Sequence, residues 1–506
     1  MMAKKKSPPA ELDSPEVAAA DLGSNSFHMI VARPQPQGLV ITDRIRESVR
    51  LAAGLDSKNR LDGDARRRAL ECLARFGQRL QGLPVHAVRA VGTNTLRQLR
   101  HRRGFLADAE SALGYPIEIV SGYEEARLIY LGVAHSIADD DRQRLVVDIG
   151  GGSTELIIGK AFAAREMESL HMGCVSTTAR HFADGAITEE RMARAELHAR
   201  RELEPIVQRY RRIGWDRVIG ASGTIRAVER CLRVNGWSDS GIDPDGLARL
   251  RKALLEAGHV HRLSLNGVGR SRAEVIAGGV AVLSGIFQAL KLEHMEASDG
   301  ALREGLLFDL LGRIRHEDVR EATVTALATR YHVDDEQARR VAATVEALHT
   351  QAPVAEPSSP RGFKDMLIWA ARLHEVGLDI SHSQYHKHGA YILHHSDLAG
   401  FSREEQSLLA TLVRVHRRKL PVWAFEELPA DWQAPALRLA VLLRLSVVLN
   451  RARNPEIVVP RRVTADGTTI TLKFGKEWLS QRPLIAADLE EEADYLARAG
   501  VSLRIE

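Results

Sequence analysis

At 506 residues the chain is too long for a single hydrophobic core, and its 44% hydrophobic and 27% charged residues are ordinary for a globular protein of about three or four domains. A net charge of only +4 excludes a global field that would drive the chain onto nucleic acid or a membrane surface, so any anion binding must come from local clusters. The three cysteines, Cys72, Cys174 and Cys231, form no C-x-x-C pair, which argues against a disulfide framework and for a reducing compartment.

Residues 1–15 are basic and then proline-rich, without the apolar segment of a signal peptide; they read as a disordered tail, and the chain as cytoplasmic. Residues 17–31, VAAADLGSNSFHMIV, read as strand, tight turn and strand. Apolar residues at helical spacing predict a helix over 64–81, and residues 84–91 predict a strand ending at Gly92-Thr93. Arg97 follows that turn, where α/β folds place ligand contacts, whereas the basic residues 100–103 read as a solvated helix face. A short strand over 117–120 leads into Ser121, a helix N-cap, and the adjacent Glu124 and Glu125. Those glutamates suit either the first turn of the helix or the orientation of a water molecule, and the pattern leaves both open.

Residues 145–159, LVVDIGGGSTELIIG, form a second strand–turn–strand unit with Asp148 at the end of its first strand. Glycine lacks a Cβ, so the backbone at Gly150, Gly151 and Gly152 can close on an anion; the bland alternative is an ordinary glycine-rich hairpin. A repeat favours the first reading. Setting Asp21-Leu22-Gly23 on Asp148-Ile149-Gly150 also brings Ser26 onto Ser153, and two related halves with such loops would grip phosphate from both sides of a cleft. A third strand–glycine–hydroxyl turn spans residues 218–224.

From about residue 299 the pattern becomes helical up to 452, broken by a proline- and serine-rich loop at 350–362. The most apolar run, 436–449, is too short to span a bilayer and carries Arg438 and Arg444, so it reads as a buried helix and no integral membrane segment is expected. Residues 456–459, a hairpin over 463–474 and a last strand over 502–505 predict a small β-containing C-terminal domain.

With these loops in place the sequence resembles the exopolyphosphatase / guanosine pentaphosphate phosphohydrolase family. The resemblance runs through DLGSNSFHMIVAR, GTNTLR, SGYEEARLIYLG, DIGGGSTELIIG, MGCVS, GASGT, SDGALREG and LHEVGLDISHSQYHKHGAYILHHSDLAGF, in family order. It implies an α/β fold of two actin-like (ribonuclease H-like) lobes, 16–132 and 133–311, followed by an α-helical HD-like domain, 312–452, and a small C-terminal α+β domain, 453–506. It further implies Glu125 as the catalytic carboxylate with Asp148 and Glu155 beside it. Phosphate contacts are implied at Gly23, Ser24, Asn25 and Ser26, at Arg97, at Gly150, Gly151, Gly152, Ser153 and Thr154, and at Ser222, Gly223 and Thr224. Asp148 and Glu125 are the implied ligands of Mg²⁺, since that ion is usually held by one or two carboxylates plus water and substrate oxygens. In the HD-like domain the metal-binding His-Asp pair is replaced by His374-Glu375, so no working metal site is expected there, and His416-Arg417-Arg418-Lys419 reads as a basic contact for a long anion. The activity implied first is release of terminal phosphate from inorganic polyphosphate, by a homodimer. Hydrolysis of guanosine pentaphosphate uses the same loops and is the alternative, and a nucleotide-regulated actin-like binding protein is a third reading.

Overall fold

The computed structural model describes residues 16–35, 38–56, 58–137, 142–314, 318–355, 362–454, 459–475 and 477–506. The tail at 1–15, part of the loop at 350–362 and most of the strand expected at 456–459 lie outside these residues. The chain forms two compact units, one joining the stretch that ends at Ile117 to Glu125–Leu311, the other joining Glu118–Glu124 to Gly312–Glu506.

The first unit holds both lobes. Its strands are β1 (Val17–Leu22), β2 (Phe27–Gln35), β3 (Gly38–Glu47), β4 (Val88–Gly92) and β5 (Ile117–Ile119), then β6 (Gln143–Ile149), β7 (Thr154–Lys160), β8 (Ala163–Leu170), β9 (Arg217–Ala221) and β10 (Glu296–Ala297). They build two five-stranded sheets, ordered β3-β2-β1-β4-β5 and β10-β9-β6-β7-β8. These orders are the same topology: three antiparallel strands, with the first also pairing in parallel to a strand reached through helices. The sequence repeat is therefore a repeat of architecture. Register keeps it residue by residue, since Asp21 pairs with His28 across β1 and β2, and Asp148 with Glu155 across β6 and β7.

Central strands buried on both faces read as continuous apolar runs, as Ala18–Ala20 and Leu145–Val147 are. The expected strand over 84–91 is half turn: Val85–Ala87 forms a single 3₁₀ turn whose Ala87 N–H bonds to Pro84 O, and only from Val88 does the backbone join the sheet. The helix Gly63–Leu80 starts at Asp62, whose carboxylate accepts from Ala65 N at 2.6 Å.

The second unit consists of the helices Val319–Arg330, Asp335–Gln351, Phe363–Leu373, Tyr385–His395, Arg403–Val415 and Ala430–Leu449, then β11 (Arg462–Asp466), β12 (Thr469–Lys473) and β13 (Ser502–Ile505) with the helix Pro483–Ala497. The hairpin β11–β12 is antiparallel and β13 lies parallel to β12. One apolar core is continuous from Phe363 and Trp432, packed edge to face at 5.1 Å, to Leu472 and Leu489 under the small sheet. Two helices are long and apolar enough to cross a membrane, Arg272–Leu290 and Ala430–Leu449, and most of each is buried within the fold, as core helices are.

Candidate active site

Two turns meet in the first unit, residues 23–26 after β1 and residues 150–153 after β6. They approach so closely that a Cβ on Gly151 would lie 2.8 Å from Ser24 Cβ, and one on Gly152 would lie 2.5 Å from Asn94 Oδ1. Glycine at these positions is thus required by packing of one lobe's loop on the other's. The second turn is braced from below, because Cys174 N donates to Gly150 O and Val175 N to Gly151 O, both at 2.9 Å. Ser24 Oγ accepts from Thr95 Oγ1 at 2.8 Å, tying the first turn to the segment after β4. The third turn supplies Ser222, held at φ 103°, a conformation side chains rarely adopt; its hydroxyl caps the helix Gly223–Val234 by accepting from Ile225 N.

Between these turns lies a cavity of about 130 Å³ lined by Asp21, Glu125, Asp148 and Glu155. Burial raises the pKa of Asp21 to about 8, with Glu125 and Asp148 adding repulsion and Arg303 opposing it. Burial likewise raises Asp148 to about 7, reinforced by Glu125 and opposed by Arg226 and Arg303. Glu155 is pushed well above the ordinary carboxylate range by burial and then by Glu125 and Asp148, although Ser169 Oγ donates to its Oε1 at 2.7 Å. Glu125 Oε2 accepts from Arg97 Nη1 at 2.6 Å. Four carboxylates crowded in this way call for a positive partner.

The same cavity also carries Arg46, Arg226, Arg272 and Arg303. Arg46 is pulled below the usual arginine range by burial and then by Arg272, Arg226, Arg303 and Arg230, the mark of cations assembled for an anion. His28, in the lobe I position matching Glu155, is held neutral far below its ordinary pKa by burial and by these arginines, and its Nδ1 accepts from Arg303 Nη1 at 2.8 Å.

Most of the residues marked in the sequence come together here: Gly23 to Ser26, Gly150, Gly151, Ser153, Glu125, Asp148, Glu155 and Ser222 to Thr224 all line the cavity. Three do not. Gly152 is packed on Asn94, and Thr154 is fully buried with its hydroxyl donating to Met172 O, so neither is placed as a phosphate contact. Arg97 reaches the site through Glu125, which it orients. The Gly150 N–H is also spent inside its own turn, on Ser153 O at 2.9 Å. Thr154→Val is accordingly expected to leave kcat and KM for phosphate release within about threefold of the parent while lowering stability by about 1–3 kcal/mol, checked by steady-state assay and urea melts.

The paired glutamates separate in the fold. Glu124, with no exposed surface, accepts from Gly400 N at 2.8 Å within the second unit, and its own N–H bonds to Ser121 Oγ. Glu125, next in the chain, turns to the cavity. Asp21 was visible to sequence reasoning only as the partner of Asp148 in the repeat. Arg303 lies in the block SDGALREG, and Arg46, Arg226 and Arg272 belong to no local motif that could have marked them.

The family model described as Ppx/GppA phosphatase family matches residues 30–314, and that for Ppx/GppA phosphatase, domain III, matches residues 319–493. A Vibrio cholerae protein named guanosine-5'-triphosphate,3'-diphosphate pyrophosphatase is 40% identical over 499 residues, covering 98% of this chain and 99% of that one. Among solved structures, an exopolyphosphatase from Cytophaga hutchinsonii is similar in fold with a TM-score of 0.54 at 23% identity, over 59% of this chain and 98% of that one. An Aquifex aeolicus member of the Ppx/GppA family gives 0.50 at 25% identity, over 60% of this chain and 98% of that one. The lobes are thus actin-like, followed by the helical third domain of this group, and the chain belongs to the Ppx/GppA phosphatase family, as a phosphoanhydride hydrolase.

Proposed function

We propose that the chain hydrolyses guanosine pentaphosphate, releasing its 5'-terminal phosphate. The reading rests on one observation above all: a single cavity in which buried carboxylates need a cation and crowded arginines need an anion, the complementary demands of a metal-bound polyphosphate end. About 130 Å³ is smaller than a usual small-molecule pocket of roughly 300–1,000 Å³, so the cavity holds the reacting phosphoryl end and leaves the rest of the substrate outside. That size suits a nucleotide or a polyphosphate chain equally. The printed name of the Vibrio cholerae relative, similar along the whole chain, favours the nucleotide, so inorganic polyphosphate, placed first from the sequence alone, becomes the second substrate. The full-length hydrolase relatives likewise weigh against the actin-like binding protein.

In this reading the backbone and hydroxyls of residues 23–26, Gly151 and Ser153 cradle the terminal phosphate, and Arg46, Arg226, Arg272 and Arg303 neutralise its oxygens. Arg97 holds one oxygen of Glu125, leaving Oε1 to orient a water and take its proton as the water oxygen bonds to phosphorus. The bond from phosphorus to the bridging oxygen breaks, and that oxygen leaves with the nucleotide.

Mg²⁺ belongs to the proposal as well. The residues fit it: Asp21 Oδ1 is buried without a hydrogen-bond partner in the cavity that Asp148 also lines, and Mg²⁺ is usually held by one or two carboxylates plus water and substrate oxygens. Because Glu125 is engaged by Arg97, Asp148 and Asp21 are the better ligands. When bound, Mg²⁺ would neutralise phosphate charge. A cytoplasmic location and a homodimer complete the reading; three free, buried cysteines support the former, and family resemblance the latter. Phosphate release with Mg²⁺ from guanosine pentaphosphate and from long-chain polyphosphate at matched phosphate concentration tests the substrate. A higher kcat/KM for the nucleotide is expected, and the reverse order would return the protein to the polyphosphate reading.

A further inference from the structure

The helical unit contains a second cavity, of about 410 Å³, that the catalytic chemistry does not use. Two histidines stand at its wall, each just past a helix end: His374 after Phe363–Leu373 and His416 after Arg403–Val415. Each donates its Nδ1–H to the carbonyl three residues back, Ala371 O and Val413 O, both at 2.6 Å. That bond fixes the tautomer and leaves Nε2 as an acceptor on each ring. His416 Nε2 has Tyr385 OH at 3.4 Å. His374 Nε2 instead faces another acceptor, Glu375 Oε1, at 3.9 Å. Glu375 Oε1 is bound by Arg453 at 2.6 Å, but Glu375 Oε2 is buried with no partner at all, in a side chain only 7% exposed. An imidazole lone pair and an orphaned carboxylate oxygen on one cavity wall lack a donor that the protein does not provide.

The mouth has the opposite need. Arg451 and Arg453 are neutralised by Asp488 and Glu375. Arg417 and Arg418 have no carboxylate partner among the described residues. Arg417 is held over the Tyr385 ring at 4.6 Å. Arg418 sits in the left-handed region at φ 62°, and Arg444 secures that strained turn by donating to Arg418 O and Val415 O. A metal is the poorer occupant, because the described residues include no cluster of three or more ligating side chains.

We propose that this cavity is a second ligand site, taking a small phosphate ester whose phosphate lies against Arg417 and Arg418 and whose N–H or O–H donor meets Glu375 Oε2 and His374 Nε2. The volume falls in the range of small-molecule pockets, roughly 300–1,000 Å³. The site is independent of the substrate read for the cleft.

The test uses the full chain and GMP, with guanosine and inorganic phosphate as the two halves of the probe. Equilibrium dialysis should show a saturable class of GMP site, and hydrogen exchange should show protection over residues 374–385 and 413–419. The Arg417→Ala/Arg418→Ala variant should weaken that class by about 10- to 100-fold and abolish the protection. Glu375→Gln should weaken the same class, and each half-probe should bind it at least about tenfold less well than GMP. A single class that survives the double substitution, absence of protection at these segments, or saturation of the cavity by a divalent metal in place of the ester would overturn the proposal.

Discussion

Glu125→Gln is expected to lower the rate of phosphate release by about 10²- to 10⁴-fold, the usual worth of a positioned general base. The structure says why so small a change should matter. Arg97 already holds Oε2 of Glu125 at 2.6 Å, and an amide must present its oxygen to that guanidinium. The NH₂ group is then turned into the cavity, where it can donate but cannot accept a proton. Substrate affinity should change by less than about tenfold, since the arginines and the glycine turns that hold phosphate are untouched. Single-turnover assays with direct binding measurements separate the two effects. A variant with kcat within about fivefold of the parent would remove Glu125 from the chemistry, and equal losses in binding and rate would make it a substrate contact.

Without a divalent cation, stability should fall as pH rises from about 6.5 to 8. Asp21 and Asp148 have folded pKa values of about 8 and about 7, above the roughly 3.9 of an unfolded aspartate. In this window the native state still holds protons that the unfolded chain has lost, so stability declines with pH until both carboxyls ionise. The window opens at the roughly 6.5 of an unfolded histidine, so part of the loss is offset near its lower end. His28, His374 and His416 are held neutral by burial, so their contribution has the opposite sign and is complete once unfolded histidine is neutral too. The expected loss is on the order of 2 kcal/mol, seen as a drop of a few degrees in apparent Tm in EDTA. Mg²⁺ competes with those protons, so the Tm difference between Mg²⁺ and EDTA should widen with pH, and Asp21→Asn should flatten both trends. A Tm in EDTA that rises across the window, or a Mg²⁺ shift independent of pH, would count against the carboxylates as its site.

Much of the site was legible because its parts are local. A glycine turn after an apolar strand is written in adjacent residues, and the pairing of Asp21 with Asp148 follows from laying one such turn on the other. The same locality explains the helical unit, where the pattern from about residue 299 to 452 reads as helices and the structure holds them. The misreadings were equally local. Thr154 follows the phosphate-loop pattern, yet its position as the first residue of β7 carries its hydroxyl into the core, onto Met172 O.

What residue spacing determined, then, was the pair of related loops and the glycine turns, since strand periodicity and backbone freedom are properties of short segments, while the carboxylates were implied by the family resemblance. Tertiary structure decided the rest. Only packing could send Glu124 to Gly400 and Glu125 to the cavity, because adjacent helical side chains point in different directions. Only folding could assemble Arg46, Arg226, Arg272 and Arg303, which lie far apart in sequence, and only burial could raise Asp21 and Asp148 towards neutrality. Electrostatic energy depends on distance and solvent exclusion, and neither is a function of position along the chain.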